Sequence, residues 1–170
     1  MLLPDNSEYK PVEHPNMAPT RTANRHLSVK ERLGSFDEID KTYTEEEALE
    51  EASRCLYCPT HWCQKACPAG VPVADFIAKI REKDYEGAYG LIHTASSLPE
   101  MCSRLCPQEK QCQSNCTRSI CSESVAIGKL ERFRCRTGIR RMLQLRRWRK
   151  TVRRLLLLVR VPADLQQHRD

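Results

Sequence analysis

Apolar positions along the chain recur three and four residues apart in short runs, and each run is opened by a residue suited to capping a helix. Thr44 and Glu47 form a T-x-x-E capping box, in which two side chains satisfy the first free amides of a helix. The helix begun there runs to about Arg54, turns Ala48, Leu49 and Ala52 inward, and delivers Cys55. Pro72 opens a second run, 73–80, with Phe76, Ile77 and Ile80 at helical spacing. Asp84 is placed to cap a third, through Ala88, Leu91 and Ile92. Stretches 100–105 and 124–132 predict two more short helices, and 29–33 and 36–39 predict helical turns. No alternation of useful length predicts a strand, so the expected class is all-α. The two halves carry no internal repeat beyond a loose echo between two groups of cysteines.

The ends differ from the middle. Pro4, Pro11, Pro15 and Pro19 punctuate the first twenty residues, which predicts an irregular leader over 1–35. The body is expected over 36–133. From Arg134 to Asp170 the chain becomes rich in Arg and Leu and carries a net charge of +10, whereas residues 1–133 carry −4. The overall +6 therefore hides an acidic body, whose excess would repel phosphates and argues against nucleic-acid binding there. In the tail, Met142, Leu145, Trp148, Val152, Leu155 and Val159 form a helical stripe among arginines. It reads as a basic amphipathic helix for a membrane surface, an acidic partner or nucleic acid, or else as the Arg- and Leu-rich text of a shifted reading frame. The first residues show no apolar segment of a secretory signal, and the longest apolar run, 155–159, is too short to span a bilayer.

Ten cysteines in 170 residues, against 6% aromatics, change the picture most. The apolar core is thin, and something besides hydrophobic burial is expected to hold the chain together. With no export signal, a cytoplasmic, reducing setting is expected, where such cysteines bind metal more often than they pair. The first group is Cys55-x2-Cys58-x4-Cys63-x3-Cys67-Pro68, and the second is Cys102-x3-Cys106-Pro107-x4-Cys112-x3-Cys116. Three thiolates spaced by two and four residues wrap a loop around one soft centre. A fourth, followed by proline, is turned away because a residue before proline prefers extended backbone. Thiolate softness selects zinc, copper(I) or iron–sulfur. Paired C-x2-C knuckles would be the usual zinc signature, and only one C-x2-C is present. Spacing alone leaves iron–sulfur ahead of zinc and disulfides.

The stretch 36–133 resembles the amino-terminal iron–sulfur domain of the glutamate synthase small subunit and of dihydropyrimidine dehydrogenase. The matching words are Tyr43-Thr44-Glu45-Glu46-Glu47-Ala48, Glu51-Ala52-Ser53-Arg54-Cys55-Leu56-Tyr57-Cys58, Cys67-Pro68-Ala69-Gly70-Val71-Pro72 and Leu98-Pro99. The second cysteine group and Val125-Ala126-Ile127-Gly128-Lys129-Leu130-Glu131-Arg132-Phe133 complete the match, which stops after Phe133. The resemblance implies an α-helical ferredoxin-like fold with two 4Fe–4S clusters. Carried over position by position, it assigns one cluster to Cys55, Cys58, Cys63 and Cys116. The other falls to Cys67, Cys106 and Cys112, with Glu131 as a non-cysteine fourth ligand. On residue type alone, Glu131 reads as an exposed helical carboxylate. Cys102 occupies a family cysteine position but is expected to pack beside a cluster rather than coordinate it. Cys121 and Cys135 match no motif, and His61 is expected to face solvent in its loop.

In the family this module feeds a flavin- and nicotinamide-binding domain, which opens with a strand and G-x-G-x-x-G. The six glycines of this chain, at 34, 70, 87, 90, 128 and 138, do not make that fingerprint, so no FAD or NADPH site is expected in it. The function implied is electron transfer between a flavoprotein and the glutamate synthase large subunit, with no turnover by the isolated chain. The reading from a different class is a zinc-stabilised interaction module that binds through its basic tail.

Overall fold

Capping boxes start the first two helices of the computed structural model, which describes residues 12–135. Ser28 and Glu31 close one around α1 (Val29–Gly34). Thr44 and Glu47 close the other around α2 (Glu45–Ser53), where the sequence places it. Then follow α3 (Trp62–Lys65), α4 (Val73–Arg81), α5 (Tyr85–Ala95) and α6 (Pro99–Leu105). Two 3₁₀ turns, Gln108–Lys110 and Thr117–Ile120, lie within the second cysteine segment. A last helix, α7, occupies 127–135. No strand is present among the described residues, only an isolated antiparallel bridge between His26 and Asp40. None of the described helices is long and apolar enough to cross a membrane.

The core lies where α4 packs on α2 and α5. Phe76, Ile77 and Ile80 from α4 meet Ala48 and Ala52 from α2, Ile92 from α5 and Leu130 from α7. Each burial of so large an apolar side chain is worth about 1.5–3 kcal/mol. Phe76 is the one phenylalanine in this core; Phe133 packs edge-on against Tyr85 at 5.6 Å from a partly buried position. Asp84 accepts from the Gly87 amide at 2.9 Å and so caps α5, as its position predicts.

Three differences from the sequence reading have physical causes. The expected turn at 36–39 is not helical: Phe36 is wholly exposed, so no packing repays ordering it. Helix α7 begins three residues later than 124 because the Ala126 amide is spent on Glu51 Oε1 at 2.8 Å. Leu49 on α2 is only partly buried, and the position that turns fully inward is the carboxylate of Glu51.

Residues 16–27, placed in the leader by composition, are irregular but pinned to the helices. The Asn16 amide donates to Ser53 O at 2.9 Å, and the Glu123 amide donates to Pro19 O at 2.9 Å. Arg21 Nε donates to Ser124 O at 2.7 Å, and the Thr22 amide donates to Glu51 Oε2 at 2.7 Å. Lys129 and Arg132 on α7 both pair with Asp40, and Arg132 with Glu38 as well. Residues 16–22 thus strap α2 to residues 123–124 ahead of α7, and Glu38 and Asp40 hold α7 itself. The first two residues of the expected basic tail, Arg134 and Cys135, lie in α7; the rest of it, with its apolar stripe, falls outside the described residues.

Candidate metal centres

The turn that carries the first cysteines is built from unusual backbone. Arg54 ends α2 and is buried, and the Cys55 amide closes on Ala52 O at 3.1 Å. Tyr57 and His61 then take left-handed conformations, φ 49° and 46°. Such conformations cost non-glycine residues on the order of 1–2 kcal/mol each and persist where surrounding contacts impose them. For Tyr57 the contact is its hydroxyl, which donates to Asp75 Oδ1 at 2.5 Å. Its ring meets the His61 ring edge-on at 5.7 Å. The reversed chain returns through α3, which carries Cys63, to Cys67. Gly70, at φ 69°, donates to Cys67 O at 2.9 Å and turns the chain into Pro72 and α4.

Cys55, Cys58, Cys63 and Cys116 line one cleft, walled by Ala74 and Val125, with about 350 Å³ of empty space including its open mouth. Burial pushes the Cys55 thiol up to about 11, with Cys116 and Cys58 adding to the shift. Burial likewise pushes Cys63 up to about 12, with Cys55, Cys116 and Cys58 adding. Thiolates gathered here would repel one another in a poorly solvated space, and a bound cationic centre relieves that penalty.

The remaining donors interact electrostatically with one another. Gln108 closes over α7 so tightly that a Cβ at Gly128 would collide with its amide. Its Nε2 donates to Cys102 O at 3.2 Å. This joins the loop bearing Cys106 and Cys112 to the helix bearing Glu131. Burial pushes Cys112 up to about 12, with contributions in turn from Cys67, Glu131, Cys106 and Cys63. Cys106 is also raised, by burial and then by Glu131, Cys102 and Cys67. Of the eight residues named from the sequence, four line the cleft, and Cys106 and Cys112 feel the charges of Cys67 and Glu131, with Cys63 also acting on Cys112.

Glu131 is buried rather than exposed, with a relative accessibility of 8%. Burial alone lifts its carboxyl to about 7. Cys102 is half-buried, its sulfur 3.5 Å from Ser96 Oγ, and it neighbours the second set through Cys106. Cys121 is exposed. His61 is partly exposed, and its Nδ1 is buried without a hydrogen-bond partner. All ten cysteines are free thiols, so disulfides drop out.

Four buried side chains escape sequence reasoning. Cys135 is fully buried one turn beyond Glu131, a spacing of four that places both on one helical face. Arg54 and Glu51 form a buried ion pair immediately before Cys55. Arg118, two residues past Cys116, is buried in the lining of the four-thiol cleft. Its guanidinium donates to Asn16 O at 3.0 Å and Ala18 O at 2.6 Å.

The donor set fits an iron–sulfur group: thiolates are its preferred ligands, and the sets offer four donors each. Among the described residues no group of three or more His, Cys, Asp or Glu is placed to hold a single metal ion.

Comparison with known proteins agrees with this donor chemistry. The family model of dihydropyrimidine dehydrogenase domain II, 4Fe-4S cluster, matches residues 32–142, nine residues past the point where the resemblance ended in the sequence. The NAD-dependent dihydropyrimidine dehydrogenase subunit PreT of Escherichia coli K12 is 41% identical over 98 residues, 58% of this chain and 24% of PreT. The glutamate synthase [NADPH] small chain of Halomonas elongata is 31% identical over 121 residues, 71% of this chain and 24% of that protein. The putative oxidoreductase AegA of Escherichia coli K12 is 33% identical over 123 residues, 72% of this chain and 19% of AegA. The chain therefore spans about a quarter or less of the curated relatives it matches. The family match covers well over half of the chain and includes every cysteine of both groups, and the chain belongs to the family of the 4Fe–4S domain of dihydropyrimidine dehydrogenase.

Proposed function

We propose that this chain is an electron-transfer module with two 4Fe–4S clusters, one on Cys55, Cys58, Cys63 and Cys116, the other on Cys67, Cys106, Cys112 and Glu131. The observation that carries the reading is the cleft lined by Cys55, Cys58, Cys63 and Cys116, with Cys67, Cys106, Cys112 and Glu131 interacting beside it, all within 77 residues of α-helical scaffold in a family 4Fe–4S match. Such a cluster supplies one-electron transfer at a potential set by its ligands, hydrogen bonds and burial. The protein contributes the rest. Ala74 and Val125 keep apolar walls against the first thiols and limit water there. The strap on α2, with Glu38 and Asp40 on α7, fixes the distance between the cysteine loop and Glu131. The action of Cys63 on Cys112 suits passage of an electron from one set to the other.

The partner is a flavoprotein, which delivers electrons from a reduced flavin, and the acceptor is an oxidoreductase subunit of the glutamate synthase large-subunit type. The likeness to the glutamate synthase small chain supports that choice. FAD and NADPH belong to the flavoprotein domain that this module serves. The setting is the cytoplasm, where ten free thiols stay reduced. Residues 134–170, where not part of α7, remain a candidate contact with an acidic partner or a membrane surface.

Electron paramagnetic resonance of the anaerobically purified, dithionite-reduced chain tests this. Signals from two magnetically distinct cubanes support the reading. A diamagnetic, zinc-bearing protein supports the zinc-stabilised interaction module instead.

A further inference from the structure

Arg118 is the most deeply buried cation in the first cleft, at 2% relative accessibility. Its terminal nitrogens are committed: Nη1 to Asn16 O and Nη2 to Ala18 O, with a further contact from Nη1 to Met17 Sδ at 3.3 Å. Its Nε is buried and has no hydrogen-bond partner. An unsatisfied charged donor costs roughly 1–3 kcal/mol or more, so a buried guanidinium with a spare N–H in a cleft lined by four thiols calls for an acceptor. The acceptors lining that cleft are chiefly the four sulfurs of Cys55, Cys58, Cys63 and Cys116, beside the side-chain oxygens of Asn115 and Thr117. The strap residues 16–18 hold the guanidinium from the other side, so its place depends on the segment that composition assigns to the leader.

We infer that Arg118 is a positioning and tuning residue for the first cluster, donating its Nε–H to cluster or cysteinyl sulfur and raising that cluster's reduction potential. The inference rests on the two-cluster reading. Reduction adds one electron, supplied by a chemical reductant such as dithionite, with no bond made or broken. It leaves the cluster one charge more negative, so a fixed cation and a charge-assisted hydrogen bond favour the reduced form. Arg118 lines the cleft of the first set, so the effect is expected at that cluster.

The test is a potentiometric titration of the full chain, followed by electron paramagnetic resonance, in wild type, Arg118→Gln and Arg118→Lys. In Arg118→Gln the equilibrium constant for reducing the first cluster should fall on the order of tenfold, about 59 mV for one electron. The second cluster should not move. Arg118→Lys keeps the charge and loses Nε, and should recover part of the shift. Equal shifts in both clusters, or none in either with full iron content, would overturn the inference while leaving the two-cluster reading intact. A wild-type chain without cubane signals would overturn the reading itself. Should both variants lose the first cluster, the wild type still decides the matter through arginine ¹⁵N labelling. An Nε–H resonance shifted by the paramagnetic cluster supports the contact, and all nineteen arginine signals at ordinary positions with none shifted refute it.

Discussion

Arg54 Nη1 lies 2.8 Å from Glu51 Oε1, one helical turn away, with both side chains at 1% exposure or less. The pair is the joint of the molecule. Glu51 also accepts from the amides of Ala126 and Thr22, and Arg54 Nη2 donates to Glu123 O at 2.7 Å. Through these bonds the strap, the helix that ends at Cys55 and the segment leading to Glu131 are fixed to one another.

Removing one partner leaves the other charged and buried. Glu51→Ala should therefore destabilise the folded chain by about 3–5 kcal/mol. Paired replacement by Met and Leu at 51 and 54 should cost less than the single change. Denaturant unfolding under anaerobic conditions reads both. A loss under 1 kcal/mol in Glu51→Ala would show that the joint carries little.

Cysteines in the first set should behave unlike those outside both. Cys58→Ser should lose the first cluster and about half of the iron. Cys121→Ser, at an exposed position, should keep all of it and change stability by no more than about 0.5 kcal/mol. Iron content of the two purified variants separates these outcomes.

Glu131 is expected to be the oxygen ligand of the second cluster, with Cys102 beside it. A carboxylate is a harder donor than thiolate, so Glu131→Ala should alter or abolish one signal in the reduced spectrum and spare the all-cysteine cluster. Cys102→Ala should keep both, at a cavity cost on the order of 1 kcal/mol. The reverse pattern would exchange the roles of these two residues.

Glu38 gives a pH dependence of known sign. Burial raises its carboxyl, but hydrogen bonds from Arg104 and Arg132 outweigh this and hold it below the usual carboxylate range. A depressed folded-state value adds stability above the unfolded value, and that stability is lost as pH falls through the folded one. The difference in stability between wild type and Glu38→Gln should be largest near neutral pH and shrink in acid. A difference that grows toward acid would contradict it.

Local signals were enough for the helices and the cysteines. Thr44 with Glu47 and Asp84 with Gly87 act within four residues, so their caps are visible in the chain itself. Spacing and the proline after Cys67 mark a three-cysteine loop with the fourth turned away, and the full division of thiols is what the family resemblance implies. What sequence could not reveal acts over long separations. Arg118 finds Asn16 across 102 residues, and Arg54 finds Glu123 across 69, with no periodicity to announce either. Glu51 and Glu131 carry no sign of burial, since a lone carboxylate on a helix usually faces water. Their burial follows from partners supplied by distant amides in one case and from the closing of Gln108 over Gly128 in the other.

The most direct measurement is the iron, acid-labile sulfide and zinc content of the anaerobically purified chain. Two 4Fe–4S clusters require about eight irons and eight sulfides per chain, with no zinc. Two zinc atoms and no sulfide would contradict the account.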